Sequence, residues 1–319
     1  MTYDLLLQLT LYFFCFLFVW IGAGLVISAV SELAKSWKLP TFILSFFLLG
    51  IITSLPEIAI SAIAVFDGDP VIMVGNLLGG AIVTLLGVIP LLGLVGNGVR
   101  IPSQLDRKQL IMTLVVIVAP AFLTADQKLE GWEALFLVIL YLSLLIFFSF
   151  RQSIWEKVKK GMMRKKKNVH LFFRIAFGVV VLIAASNQIV NSTLFFADKF
   201  SISPFFVSLI VVALGTNIPE ISIIVRSVWS GEKDIALADY LGSASANTLL
   251  LGIFTLIHGE AIQLPNHFLQ RFSFLAIGLV LFYFFARSQK TLSRKESMVL
   301  FTLYIGFILF EILLVTTLV

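Results

Sequence analysis

Long apolar stretches alternate with short polar ones along almost the whole chain. Ten stretches run roughly Leu5–Val30, Pro40–Val65, Val71–Val95, Gln109–Ala125, Trp132–Phe150, Val169–Phe196, Pro204–Trp229, Ile235–Ile257, Arg271–Ala286 and Met298–Val319. A helix of about 20 residues crosses the hydrocarbon of a bilayer. Only a helix or a closed barrel satisfies its own backbone there. The alternation of ~10-residue strands that marks a membrane barrel is absent from the pattern. The expected fold is therefore an all-α polytopic membrane protein with ten transmembrane helices. Five spans fall in 1–150, a basic segment occupies 151–168, and five more fall in 169–319.

Composition agrees. The 319 residues are 59% apolar and 13% charged, with a mean hydropathy of +1.03. Soluble domains carry roughly 25% charged residues, so a water-soluble fold is excluded. The net charge of +5 would suggest nucleic acid in a soluble protein. Here the cations flank apolar spans, and the lipid surface accounts for them. With ten spans, 18 Lys and Arg fall in loops on one side and three on the other, Lys128, Lys199 and Arg271. The richer side, which includes the 151–168 loop, is expected to be cytoplasmic. Both termini then face outward, as expected for a multi-pass plasma (inner) membrane protein. Cys15 is the single cysteine, which excludes a disulfide framework or a Cys-based metal site. Asp4 stands where a signal peptide would be basic, so a cleaved signal is not expected.

Two segments repeat at an offset of 163 residues: Thr53-Ser54-Leu55-Pro56-Glu57-Ile58 and Thr216-Asn217-Ile218-Pro219-Glu220-Ile221. The same offset relates Phe42 to Phe205, Ser45 to Ser208, Gly68 to Gly231, Leu78-Gly79 to Leu241-Gly242 and Leu86 to Leu249. A fixed offset without gaps indicates duplication. Five spans per copy is an odd number, so the second copy enters from the opposite side. Inverted five-helix repeats are an architecture of secondary transporters, with the site at the midplane.

Glu57 and Glu220 are the chemistry-bearing residues this pattern isolates. An ionised carboxylate at the centre of a span costs a few kcal/mol or more. Each follows a proline, which removes one helical hydrogen bond and displaces the preceding turn. Each half thus offers a carboxylate, loosened carbonyls and a hydroxyl, from Thr53 or Thr216. Together they form an all-oxygen site suited to a hard cation such as Ca²⁺. The third span adds Asn76, Gly80 and Thr84 on one face, and the eighth adds Asp239, Ser243 and Asn247 at i, i+4, i+8. Small residues beside them also allow close helix packing.

At these residues the chain resembles the cation/calcium exchanger superfamily, and within it the prokaryotic-type sodium/calcium exchangers. The Pro-Glu segments, Gly75-Asn76-Leu77-Leu78-Gly79 and Asp239-Tyr240-Leu241-Gly242-Ser243 carry the resemblance, within about Pro40–Leu92 and Pro204–Thr255. It implies that Glu57 and Glu220 are the central Ca²⁺ ligands, helped by Thr53 and Thr216. It implies that Ser54, Asn217, Thr84, Ser243 and Asn247 line flanking Na⁺ sites, and that the first and sixth spans slide against a rigid core. The chain departs from the family pattern in having Gly80-Ala81 for Ser-Asn, Thr84 for an amide, Asn217 for Ser and Asp239 for Asn. Asn247 stands where many members carry Asp.

The expected function is secondary-active antiport of Ca²⁺ against Na⁺ by alternating access. H⁺-coupled exchange of Ca²⁺ or another divalent cation on the same fold is the alternative, and a cation-binding membrane protein that does not transport is the other class. No cofactor, nucleic acid or obligatory protein partner is expected, and the partners are the ions and the lipid bilayer. No phosphate-loop, nucleophile-elbow or HExxH motif points to an enzyme. Glu311 is expected in a structural hydrogen bond or a peripheral water cavity, Glu32 to snorkel or cap at a span end, and Asn187 and Asn191 in interhelical packing or along an outer access path. His170, His258 and His267 fall at span ends.

Overall fold

Helices dominate the chain because the apolar stretches leave the backbone no other partner. The structure is a computed structural model; it describes residues 2–36, 46–47, 50–102, 105–152, 169–218, 220–221, 224, 228–229, 231, 233–265, 268–288 and 290–318. Pro40, most of the 151–168 loop, Pro219, Arg226 and His267 lie outside the described residues. The elements are α1 (Thr2–Ser36), α2 (Gly50–Thr53), α3 (Leu55–Phe66), α4 (Pro70–Ile82), α5 (Ile89–Val95), β1 (Val99–Arg100), α6 (Arg107–Leu123), β2 (Lys128–Leu129) and α7 (Gly131–Gln152). They continue with α8 (Val169–Lys199), α9 (Pro204–Val207), α10 (Ala213–Thr216), α11 (Lys233–His258), β3 (Ile262–Gln263), α12 (Phe268–Ser288), β4 (Thr291–Leu292) and α13 (Arg294–Leu318). Among the described residues, seven helices are long and apolar enough to cross a membrane, and Leu55–Phe66, Pro204–Thr216 and Ser273–Arg287 are shorter apolar helices.

Burial sorts the helices into an inner and an outer set. The Pro70–Val95 and Ala236–His258 segments are 83% and 78% buried, against 28% to 33% for the apolar segments of α1, α7, α8 and α13. The outer helices present large apolar side chains such as Phe13, Trp132, Phe173 and Leu313 to their surroundings. That surface suits lipid, which is as apolar as the side chains facing it. Helix α1 lies along α8, and the Tyr12 hydroxyl meets Thr193 Oγ1 at 2.8 Å between them.

The contacts between elements recur at the 163-residue offset. Strand β1 pairs with β4 as Val99↔Leu292 and Arg100↔Thr291, and β2 pairs with β3 as Leu129↔Ile262 and Lys128↔Gln263. Shifting either ladder by 163 and exchanging the strands gives the other. A Cβ added to Gly79 would run into the Leu209 carbonyl, and one on Gly242 would run into the Phe46 carbonyl. These are equivalent positions in the two halves. Glycine is required at both because one helix backbone lies directly on another. Wide π turns occur at Phe46–Phe47 and at Ser208–Val212, again at matching positions.

One side-chain expectation changes. Asn187 and Asn191 do not bridge helices: Asn191 Nδ2 donates to Asn187 Oδ1 at 3.1 Å on an exposed face of α8. Four residues on a helix are one turn apart, so the pair satisfies itself. Glu32 faces Arg174 at 3.8 Å, and Arg174 also donates to Ser28 Oγ at 2.6 Å. Glu311 is fully buried.

Candidate ion-binding site

The chain breaks its helix twice, at equivalent places. Between α2 and α3 the break falls at Ser54 (φ −78°, ψ 12°), and after α10 it falls at Asn217 (φ −86°, ψ 8°). Pro56 sits in the first turn of α3, where a missing N–H costs least. At each break side chains add hydrogen bonds to a carbonyl one turn earlier. Ser54 Oγ donates to Gly50 O at 2.8 Å and Thr53 Oγ1 to the same oxygen at 3.3 Å. Asn217 Nδ2 donates to Ala213 O at 2.8 Å and Thr216 Oγ1 to it at 3.2 Å. Both breaks therefore spend their local polar side chains in the same way.

Glu57 and Glu220 follow these breaks directly, and both are buried, at 1% and 0% exposure. Glu57 meets the opposite half, while the hydroxyl on Glu220 comes from its own half. The Thr216 hydroxyl lies against the Glu57 carboxylate, and it also reaches Asn76 Oδ1 at 3.3 Å. Ser243 of α11 donates to Glu220 Oε1 at 3.4 Å and stands 3.1 Å from Ser54 Oγ. Glu57 and Asp239 both lie within electrostatic reach of Glu220. Thr84, in the π turn Val83–Val88, donates to Asn217 Oδ1 at 2.8 Å. Asn247 Nδ2 donates to Leu77 O at 3.2 Å. All ten candidate residues, Thr53, Ser54, Glu57, Thr84, Thr216, Asn217, Glu220, Asp239, Ser243 and Asn247, are buried.

Among the described residues the network leaves polar atoms unpaired, among them the donor Asn76 Nδ2. Glu57 Oε2, Glu220 Oε2, Asp239 Oδ1 and Asn247 Oδ1 have no hydrogen-bond partner among the described residues. No lysine, arginine or histidine is buried among the described residues. An unsatisfied buried acceptor costs roughly 1–3 kcal/mol, more when charged. Among the described residues no three Asp, Glu, His or Cys side chains form a metal cluster. The donor set is instead mixed oxygen, with carboxylates, hydroxyls and amide oxygens, and such ligands fit Ca²⁺ or Na⁺ rather than a softer metal.

Tyr240 joins the site without having been singled out by sequence. Its hydroxyl donates to the Glu220 carbonyl at 3.0 Å. The available signal was a tyrosine in a buried span, since a buried hydroxyl needs a partner. Gly80 explains the thinner first half. A Cβ there would stand 2.9 Å from Asn247 Nδ2 and 3.6 Å from Asn217 Nδ2, so two amides fill the space that Ser243 fills in the second half.

A bundle of broken apolar helices around a buried, acidic, oxygen-lined centre defines a membrane cation transporter. The sodium/calcium exchanger protein family profile matches residues 7–150 and 170–313, and the chain belongs to that family. It is therefore a transporter and not an enzyme. It is 26% identical over 301 residues to the putative antiporter CaxA of Alkalimonas amylolytica, covering 91% of this chain and 94% of that protein. It is 26% identical over 246 residues to the inner membrane protein YrbG of Escherichia coli, covering 74% and 75%. It is 23% identical to the sodium/calcium exchanger MaX1 of Methanosarcina acetivorans, covering 90% and 93%. Among solved structures, the sodium-calcium exchanger NCX_Mj soaked with Na⁺ and Sr²⁺ superposes with a TM-score of 0.66 at 21% identity, covering 95% of this chain and 98% of that one. That likeness establishes the fold.

Proposed function

We propose that this protein exchanges Ca²⁺ for Na⁺ by secondary-active antiport, with Glu57 and Glu220 as the central ligands. The observation that carries the reading is the unpaired Oε2 of each buried glutamate, directly after a matched helix break. A dehydrated divalent cation supplies the charge that the protein withholds. Thr53 and Thr216 flank the centre, while Ser54, Thr84, Asn217, Asp239, Ser243 and Asn247 line the positions beside it. The site with both carboxylates ionised and no cation is costly to carry through lipid, which enforces exchange over leak. Alternating access then moves the outer pair α1 and α8 against the buried helices α4, α5 and α11.

Inverted five-span repeats and ten crossings are part of the same reading, supported by the exchange of strand ladders and glycine contacts at one offset. The orientation is that both termini lie outside and 151–168 is cytoplasmic in an inner or plasma membrane. Arg100, Lys233 and Arg294 line one cavity at a single end of the molecule, which supports that grouping of the loops. The test is isotopic Ca²⁺ uptake into Na⁺-loaded proteoliposomes. Uptake that needs internal Na⁺ and is lost in Glu57→Gln supports the proposal, and no Ca²⁺ flux under any gradient overturns it.

One observation favours proton coupling as the second reading. Asp239 brings a third buried carboxylate beside Glu220, with Oδ1 unpaired. A carboxylate without a cation partner can carry a proton in exchange. Uptake that ignores Na⁺ and follows an imposed pH gradient selects this reading.

A further inference from the structure

An open cavity of about 860 Å³ lies away from the glutamates, at the β1–β4 ladder. Four cationic side chains line it, Arg100, Lys233, Arg294 and Lys295, and among the described residues no acidic side chain does. Lys233 is fixed in place, because its ammonium donates to the carbonyls of Gly96 and Gly98. Arg100, Arg294 and Lys295 are exposed, and no ion pair to any of them occurs among the described residues. The Ser293 and Glu296 side chains are occupied in capping α13, with Ser293 N donating to Glu296 Oε2 at 2.8 Å.

The duplicated fold does not account for this charge. At the 163-residue offset the equivalent positions at the opposite end are Gln263, Pro70, Gly131 and Trp132. The backbone ladder is the same at both ends, yet all four cations stand at one. A general excess of cytoplasmic cations needs no such convergence on one cavity.

We infer that this cavity binds a phosphate group, supplied by the headgroup of an anionic phospholipid. Arginine forks match phosphate oxygens, and basic pockets among transmembrane helix ends hold such headgroups. Bound phosphate would bridge the turn after α5 to the starts of α11 and α13. Helices α4 and α11 carry Thr84's neighbours and Ser243, so the headgroup braces both helices that line the ion site.

The test titrates phosphatidylglycerol, phosphatidylcholine or inorganic phosphate into the full-length protein in detergent and follows binding by native mass spectrometry. Saturable binding of phosphatidylglycerol over phosphatidylcholine is expected. The R100Q/R294Q/K295Q variant should weaken it about 100-fold, at roughly a factor of five per cation. The K159Q/K160Q/K165Q variant, with the same charge loss in the 151–168 loop, should leave it unchanged. If the triple variant elutes aggregated, Arg294→Gln alone carries the test, with about a fivefold loss. Inorganic phosphate that binds in the same cation-dependent way, and displaces the lipid, supports the phosphate site and makes free phosphate its ligand. Equal binding of phosphatidylcholine, or an equal loss in the loop variant, overturns the proposal.

Discussion

Ser243 donates to Glu220 Oε1 at 3.4 Å, whereas Gly80, its equivalent in the first half, has no side chain to offer Glu57. The centre is thus two-fold in backbone and one-sided in ligands. Removing the hydroxyl should matter more than its size suggests, because a hydrogen bond to a charged group is worth about 1.5–3 kcal/mol. Ser243→Ala is expected to weaken Ca²⁺ binding roughly 10- to 100-fold. Isothermal titration of the purified variant checks this, and unchanged affinity would remove Ser243 from the site.

Gly80→Ser should be tolerated. Its Cβ meets the far end of the Asn247 side chain rather than backbone. The new hydroxyl adds a donor and acceptor beside the Asn217 and Asn247 amides. The expected outcome is a folded protein with steeper Na⁺ dependence of Ca²⁺ uptake, measured in proteoliposomes.

Gly79→Ala and Gly242→Ala should not be tolerated. Each Cβ would meet a backbone carbonyl, Leu209 or Phe46, and neither helix has a flexible end to yield. Overpacking typically costs about 1–3 kcal/mol and here forces two helices apart. A lowered melting temperature or aggregated elution is expected for both variants, while Gly24→Ala, which meets nothing within 4 Å, serves as the neutral control.

Glu57→Gln and Glu220→Gln should each abolish Ca²⁺ transport without unfolding the protein. Each removes one of two buried like charges, so stability in the absence of Ca²⁺ should hold or rise. Melting curves with and without Ca²⁺ separate the cases. Loss of fold in the ion-free variants would indicate a structural role for the carboxylates.

Ca²⁺ affinity should fall as pH falls. Only the ionised carboxylate ligates the cation, so protons compete with Ca²⁺ for Glu57 and Glu220. Asp239→Asn removes the third titrating group and is expected to flatten the pH dependence while Na⁺-driven uptake continues. A pH profile of uptake that is identical with and without Asp239 would show that it takes no part.

The matched breaks at Ser54 and Asn217 were legible because proline in an apolar span has few compatible placements. The carboxylates were legible because hydrocarbon makes a buried glutamate expensive. The use of each polar side chain was not. Asn187 and Asn191 carry the same i, i+4 spacing as functional pairs elsewhere, yet they bond to each other on an exposed face. Spacing gives the helical face, and only the neighbouring helices decide what that face meets.

The sequence by itself determined the membrane class, and it isolated the apolar stretches, the 163-residue repeat of motifs and the two glutamates as candidates. Those follow from local rules: apolar length, backbone satisfaction and the cost of charge in lipid. Tertiary structure decided that Gly79 rests on Leu209 and Gly242 on Phe46, and that Ser54 meets Ser243 while Asn217 meets Thr84. It also placed Tyr240 on the Glu220 carbonyl and gathered Arg100, Lys233, Arg294 and Lys295 around one cavity. The glycine contacts and the Ser54–Ser243 and Thr84–Asn217 pairs join residues more than 100 positions apart. They depend on how the helices cross, which no periodicity along one helix encodes.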